Sequence, residues 1–291
     1  MVHFIGRIVN HRILLEERYM FLTGLLGILL GAVCLVTILF TGASIPPEGD
    51  LYKAVSFNIA IGTFIMTTAV ILRYVNFSIR KRRFFRWMLI ISTLYSYGVE
   101  TIQHMRGINP RFTQVGEIQD QILGGLFGLV SLVIIILYIV LAVSIFKQGD
   151  KKRNPLMSNA LRYGILSTLI AFSGGIWMIV LQGRFTGIDG NIIWLHGLGF
   201  HGLQVIPLIA WLTMLSTYAN EMKAKIIHLT GLTWNLALIM LGIHTAMGKA
   251  VFELTVSSIS FYFLTMIWIV VLGYTCLKLV RDKKVKVSTS L

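Results

Sequence analysis

Few residues in this 291-residue sequence are equipped for acid–base or metal chemistry, and several of those lie inside apolar runs. The stretch WLHGLGFHGLQVIP carries His196, His201 and Gln204. The stretch YSYGVETIQHM carries Glu100, the only acidic residue well inside an apolar span, followed by Gln103 and His104. His244 lies near the end of a third apolar run, and Arg106 and Arg111 stand in the loop that follows Glu100. Ionisable groups are costly within a bilayer, so they face a bundle interior, a partner or a cavity and mark candidate sites.

Three chemistries suit this set. Imidazoles from facing helices can ligate haem iron axially, with His201 opposite His104 or His244. Alternatively, His196, His201 and His244 could hold a divalent metal with one position open, and Glu100 would act as general base on the bound water. The third chemistry is a proton-linked small-molecule transporter or sensor, in which Glu100 and the histidines exchange protons. Gln204 would join His104, His196, His201 and His244 in lining the cofactor-binding site, and Arg106 and Arg111 would meet a substrate or lipid at the surface. No metalloprotease-type His-Glu-x-x-His motif is present. A purely structural membrane subunit is the competing account, because polar groups in spans also join helices at roughly 0.6 kcal/mol per hydrogen bond. Asn58, Gln103 and Gln182 read that way, and Gly197, Gly199 and Gly202 read as close-packing residues.

These residues need helices to position them. Hydrophobic residues make up 56% of the chain, charged residues 13%, and mean hydropathy is +0.78, values of a chain solvated mostly by lipid. Apolar spans run over about 20–42, 52–75, 87–105, 121–146, 161–182, 192–218, 226–247 and 254–280. The expectation is an all-α integral membrane protein, a bundle of eight transmembrane helices with both termini cytoplasmic. Residues 1–19 would form an interfacial or frayed N-terminal segment, 20–280 a single domain, and 281–291 a basic tail. The first apolar run is too long for a signal-peptide core and is kept as a span.

Orientation follows from charge. With the termini and the second, fourth and sixth loops on one side, that side holds 21 of the 26 Lys and Arg residues. The other side keeps Lys53, Arg106, Arg111, Arg184 and Lys249. This is the positive-inside pattern of a cell-membrane protein, so the formal charge of +14 needs no nucleic-acid partner. Cys34 and Cys276 are far apart in sequence and suggest neither a disulfide framework nor a thiolate site. No inverted internal repeat of the transporter kind is legible.

The same orientation puts Glu100, His104, His196, His201, Gln204 and His244 at one depth, toward the outer face. Thr93, Ser96, Tyr97, Glu100, Gln103 and His104 follow spacings of three and four and predict one polar stripe on the third helix. On the sixth helix, His196 and His201 stand about 140° apart at about 100° per residue, flanking a face that contains Gly197 and Gln204. The third and sixth helices are therefore expected to pack side by side, with one outward-open cavity between them.

Two segments carry a resemblance. TIQHMRGINPRFTQVGEIQD and GNIIWLHGLGFHGLQVIPL resemble parts of a large family of bacterial polytopic membrane proteins, which have an Arg-Gly loop and a His-x4-His-x2-Gln helix. Here the helix motif matches at His196, His201 and Gln204. The loop has Arg106-Gly107 and Phe112, but Pro110-Arg111 where the family has Ser-His. The resemblance covers about a fifth of the chain. It implies a bacterial integral membrane protein and supports partnership of the third and sixth helices, and it carries no chemistry.

Overall fold

The computed structural model describes residues 17–148 and 154–288, with side chains up to 282. Segment 1–16, most of the N-terminal stretch read above as interfacial, and residues 289–291 of the tail lie outside the described residues. Eight helices follow in order: α1 (Arg18–Thr41), α2 (Leu51–Leu72), α3 (Ile79–Met105), α4 (Ile118–Lys147), α5 (Pro155–Leu181), α6 (Ile192–Leu215), α7 (Asn220–Ala246) and α8 (Val256–Ser288). Two-residue antiparallel hairpins join α1 to α2, through β1 (Ser44–Ile45) and β2 (Gly49–Asp50), and α5 to α6, through β3 (Phe185–Thr186) and β4 (Gly190–Asn191).

All these helices except α3 are long and apolar enough to cross a membrane, as in a multi-pass membrane protein. The exception, α3, begins two turns before its apolar part and carries Arg80, Lys81, Arg82, Arg83 and Arg86 on the helix itself. The sequence reading starts this span at Trp87 because hydropathy begins there. The backbone instead obeys the cap: Ser78 Oγ accepts the Lys81 amide, and Lys and Arg are good helix formers.

The chain divides into two compact units, Met1–Ser144 and Ile145–Leu291, where the sequence suggested one domain over 20–280. The second unit repeats the first: helix, hairpin, helix, short turn, helix, loop, helix. Helices α3 and α7 are both 27 residues long and lie 141 positions apart (220 less 79). The same offset relates the hydrogen bonds Leu51 N to Ala43 O and Ile192 N to Arg184 O, and also Glu48 N to Gly107 O and Asp189 N to Gly248 O. It likewise relates the caps of α2 and α6, where Asp50 accepts from Tyr52 N and Asn191 accepts from Ile193 N. Gly107 (φ 79°) and Gly248 (φ 72°) each follow the last turn of their helix in a left-handed conformation that strongly favours glycine. The repeat escapes inspection of the sequence because only five of the 65 pairs between 43–107 and 184–248 are identical.

Within the first unit, α1 and α2 meet through Gly24 and Gly62, where a Cβ on either would sit 2.7 or 2.6 Å from the other's carbonyl oxygen. Small residues of this kind let helices approach closely in lipid. Tyr97 of α3 fits over Gly27, where a methyl would collide with its ring. Within the second unit, Gly199 of α6 lies against Ala171 of α5, and Ser167 Oγ donates to Gly199 O at 2.6 Å. Cys34 is buried and Cys276 exposed, both as free thiols.

Candidate functional site

The hairpin end of the first unit is built around acids. Glu48, in the β1–β2 turn, accepts from Asn109 N at 3.1 Å, Thr113 Oγ1 at 2.6 Å and Gln114 N at 2.8 Å, which ties the α3–α4 loop to the hairpin. Burial pushes the Glu48 carboxyl up, but the hydrogen bonds from Thr113, Gln114 and Asn109 outweigh it and hold the group below the ordinary carboxylate range. Asn109 Oδ1 accepts the amides of Arg111 and Phe112, a local turn that Asn favours and that turns the loop back over α3. Asp120, buried at the start of α4, accepts from Gln103 Nε2 at 2.8 Å and from Arg106 Nη1 at 2.6 Å.

This scaffold delivers Arg111 to Glu100. Glu100 is fully buried, and Arg111 Nη2 donates to its Oε1 at 2.7 Å. The guanidinium lies 5.2 Å from the Phe57 ring centroid and 5.3 Å from that of Phe127, between two aromatic groups that favour a cation. His104 Nε2 stands 3.4 Å from the same carboxylate oxygen, while its Nδ1 accepts the Asp50 amide at 3.1 Å. An imidazole that accepts at Nδ1 carries its hydrogen on Nε2, so His104 is the neutral tautomer and donates to Glu100. Glu100 Oε2, Asn58 Oδ1 and Tyr97 Oη are buried and make no hydrogen bond among the described residues. Asn58 Nδ2 donates to Thr101 Oγ1 at 2.9 Å, one residue along from Glu100. The side chains of the expected α3 stripe, Thr93, Ser96, Tyr97, Glu100, Gln103 and His104, are all buried.

Arg111, read from the sequence as a surface residue for a substrate or lipid, is the counter-ion of the buried acid, with its side chain 32% exposed. Arg106 likewise pairs with Asp120, although it is half exposed.

The remaining candidates belong to the second unit. His196 Nδ1 donates to Ala171 O at 2.8 Å, and its ring meets Phe200 edge-on. His201 is exposed, with Nδ1 2.7 Å from Gln204 Oε1. His244 is buried; its Nε2 donates to Ala250 O at 2.7 Å, and its Nδ1 meets Thr255 Oγ1 at 3.0 Å and Ser257 Oγ at 3.2 Å. In His104 and His244 the ring nitrogen that could ligate a metal is thus engaged as a hydrogen-bond acceptor. Among the described residues, no group of three or more His, Cys, Asp or Glu side chains is arranged to hold a metal ion. The structure brings Glu100, His104 and Arg111 together and places His196, His201, Gln204 and His244 in the other unit, each with local partners.

The offset between units makes the first cluster distinctive. The counterparts of Tyr97 and Glu100 are Leu238 and Leu241, both buried, and the counterpart of Asn58 is Gly199. One backbone arrangement is thus held once with a buried ionic network and once with leucine.

Sequence reasoning missed Glu48, Asn109 and Asp120. A signal was available for two of them: Asn-Pro marks a turn at Asn109, and Asp120 is one of the few acids and closely follows the Arg-bearing loop, whereas no local signal marked Glu48. It also missed Glu17, buried at the opposite end of the unit, whose carboxylate takes a two-pronged contact from Arg86 at 2.6 and 2.9 Å. No protein-family model matches the chain, and no curated protein or solved structure matches it either.

Proposed function

We propose that the chain is an eight-span protein of the cell membrane with cytoplasmic termini. In this reading Glu100, Arg111 and His104 form an ionic site just beneath the outer surface, serving a proton-linked carrier or sensor of a small molecule. The 21-to-5 division of basic residues supports the orientation. It includes α3 as a span despite its basic start, since long basic side chains snorkel to the interface.

The observation that carries the functional reading is the leucine at position 241. Helix glue is needed equally by both units, yet only the first buries a carboxylate at this place. Desolvating an ion pair costs several kcal/mol per ion and does little for stability beyond what apolar packing supplies, so its presence in one unit calls for a role in that unit. Arg111 gives the site its approach, being the partly exposed member. A solute or proton arriving there competes with Arg111 for the carboxylate, and His104 holds the carboxylate in place as a neutral donor.

The test is reconstitution in proteoliposomes containing a pH-sensitive dye, challenged with small solutes of each charge class. The wild type should couple one class to proton movement, and Glu100→Gln should abolish the coupling while inserting normally. Full coupling by Glu100→Gln would defeat the proposal. The competing assignment to haem or a divalent metal has its own readout: a Soret band, or one zinc per chain in detergent-purified protein, would displace the carrier reading.

A further inference from the structure

We propose a second site, an anionic-phospholipid headgroup site on the basic start of α3. It rests on the membrane orientation proposed above but not on the Glu100 chemistry. A surface concavity of about 640 Å³ is lined by Ile79, Arg80, Arg83, Phe84, Trp87 and Met88.

The other basic residues of this turn are committed within the protein. Lys81 Nζ donates to Ser144 Oγ at 2.8 Å, and Arg86 holds Glu17. Arg82 lies 3.8 Å from Glu17. Arg80 and Arg83 have no acidic partner among the described residues and lie one turn apart on one face, both exposed. Two guanidinium groups at that spacing can hold a phosphate from two sides, and Arg matches phosphate oxygens in a two-pronged geometry. The first turn of α3 adds the positive end of a 27-residue helix.

The apolar members select the source of the phosphate. Ile79 is 80% exposed and Phe84 63%, and Trp87 is also exposed, so a free ion in water would leave most of the concavity wall unmatched. A phospholipid covers both parts, its headgroup on the arginines and its acyl chains along Phe84, Trp87 and Met88. Basic clusters beside a membrane helix suit the anionic cytoplasmic leaflet, and tryptophan suits the headgroup level.

The second unit again supplies the contrast. The counterpart of Arg80 is Glu221, which pairs with Lys225 at 2.7 Å, and the counterpart of Arg83 is Ala224. That face offers a phosphate no pair of unopposed cations.

The experiment uses the full-length protein in detergent, titrated with phosphatidylglycerol, with phosphatidylcholine or with inorganic phosphate, and read by native mass spectrometry and thermal shift. Wild type should retain phosphatidylglycerol over phosphatidylcholine. Each of Arg80→Gln and Arg83→Gln should weaken retention about five-fold, and the pair about thirty-fold, from the usual contribution of a basic residue near an anionic leaflet. Lys223→Gln/Lys225→Gln, with the same loss of charge elsewhere, should retain the lipid. Equal loss in that control would reduce the effect to net charge and overturn the site, as would retention by the double arginine variant. Equal protection by inorganic phosphate alone would reassign it as a free-anion site. Failure here leaves Glu100 untouched, because proton coupling by Arg80→Gln/Arg83→Gln reads that site separately.

Discussion

Removing Arg111 while keeping Glu100 should be the most damaging single change at the site. Glu100 is fully buried, and Arg111 is its 2.7 Å counter-ion, so Arg111→Met leaves a carboxylate with only the neutral His104 donor at 3.4 Å. Breaking a buried pair from one side costs about 3–5 kcal/mol, and the low end applies because Arg111 is one-third exposed. About 3 kcal/mol is a factor of roughly 150 in the folding equilibrium, read from tryptophan fluorescence during denaturation in mixed detergent micelles. Glu100→Leu should cost less, about 1 kcal/mol, because the orphaned guanidinium keeps Phe57 and Phe127 and can turn toward water. The double variant places at position 100 the residue the second unit already uses, and it should recover to within about 1 kcal/mol of wild type. The coupling energy would then be about 3 kcal/mol, large for a contact pair. A double variant as unstable as the sum of its parts would refute the argument that the ion pair is dispensable to the fold. So would an Arg111→Met variant costing under about 1 kcal/mol. The double variant must also lose proton coupling, since folding without function is what separates a site from helix glue.

Cysteine labelling in a Cys276→Ser background checks the orientation: Val115→Cys and Ile188→Cys should react with an impermeant reagent outside intact cells, and Lys225→Cys should react only after permeabilisation. The carboxyl of Glu48 lies below its ordinary range in the folded protein, so its contribution is complete above the unfolded value and is lost as pH falls through the folded one. Hydrogen exchange in the 106–117 loop should therefore rise in acid below the usual carboxylate pKa, and Glu48→Gln should flatten that profile. Gly107→Ala and Gly248→Ala should each destabilise their own unit by about 1–2 kcal/mol, measured by proteolysis of the two loops. Both need φ near +75°, and a Cβ would press on Pro46 in one unit and Gly187 in the other.

The helices were legible in the sequence because twenty or so apolar residues in lipid have no other way to satisfy their backbone. Their ends were less so: α3 runs back to Ile79 behind the Ser78 cap, and α7 runs back to Asn220 without a side-chain cap, since hydropathy alone does not decide where a helix begins. The polar stripe on α3 could be written down from spacing alone, whereas the partner of Glu100 could not. Arg111 reaches it only because Glu48 pins the loop and Asn109 turns it, a long-range arrangement with no local period. The histidines are visible in the sequence as residue types, whereas their hydrogen-bond engagement is not; His244 is held at both ring nitrogens.

The repeat changes how the polar residues are weighed. A buried charge in a single fold is ambiguous, because packing and function both predict a satisfied ion pair. Two units with one backbone plan remove part of that ambiguity, since each serves as the control for the other. The elements shared by both units, the hairpin, the capped second helix and the left-handed glycine after the third, are those the backbone requires. The elements held by one unit only are free of that requirement: Glu100 with its loop-borne arginine, Asn58, and the unopposed Arg80 and Arg83. Both proposed sites therefore fall on the same unit, and leucine or a paired Glu–Lys fills their places in the other. If the first unit carries the chemistry and the second the scaffold, transplanting Glu100 and Tyr97 onto Leu241 and Leu238 should not create activity. The grafted acid would lack Arg111, and an uncompensated buried carboxylate should instead destabilise the second unit by about 3 kcal/mol.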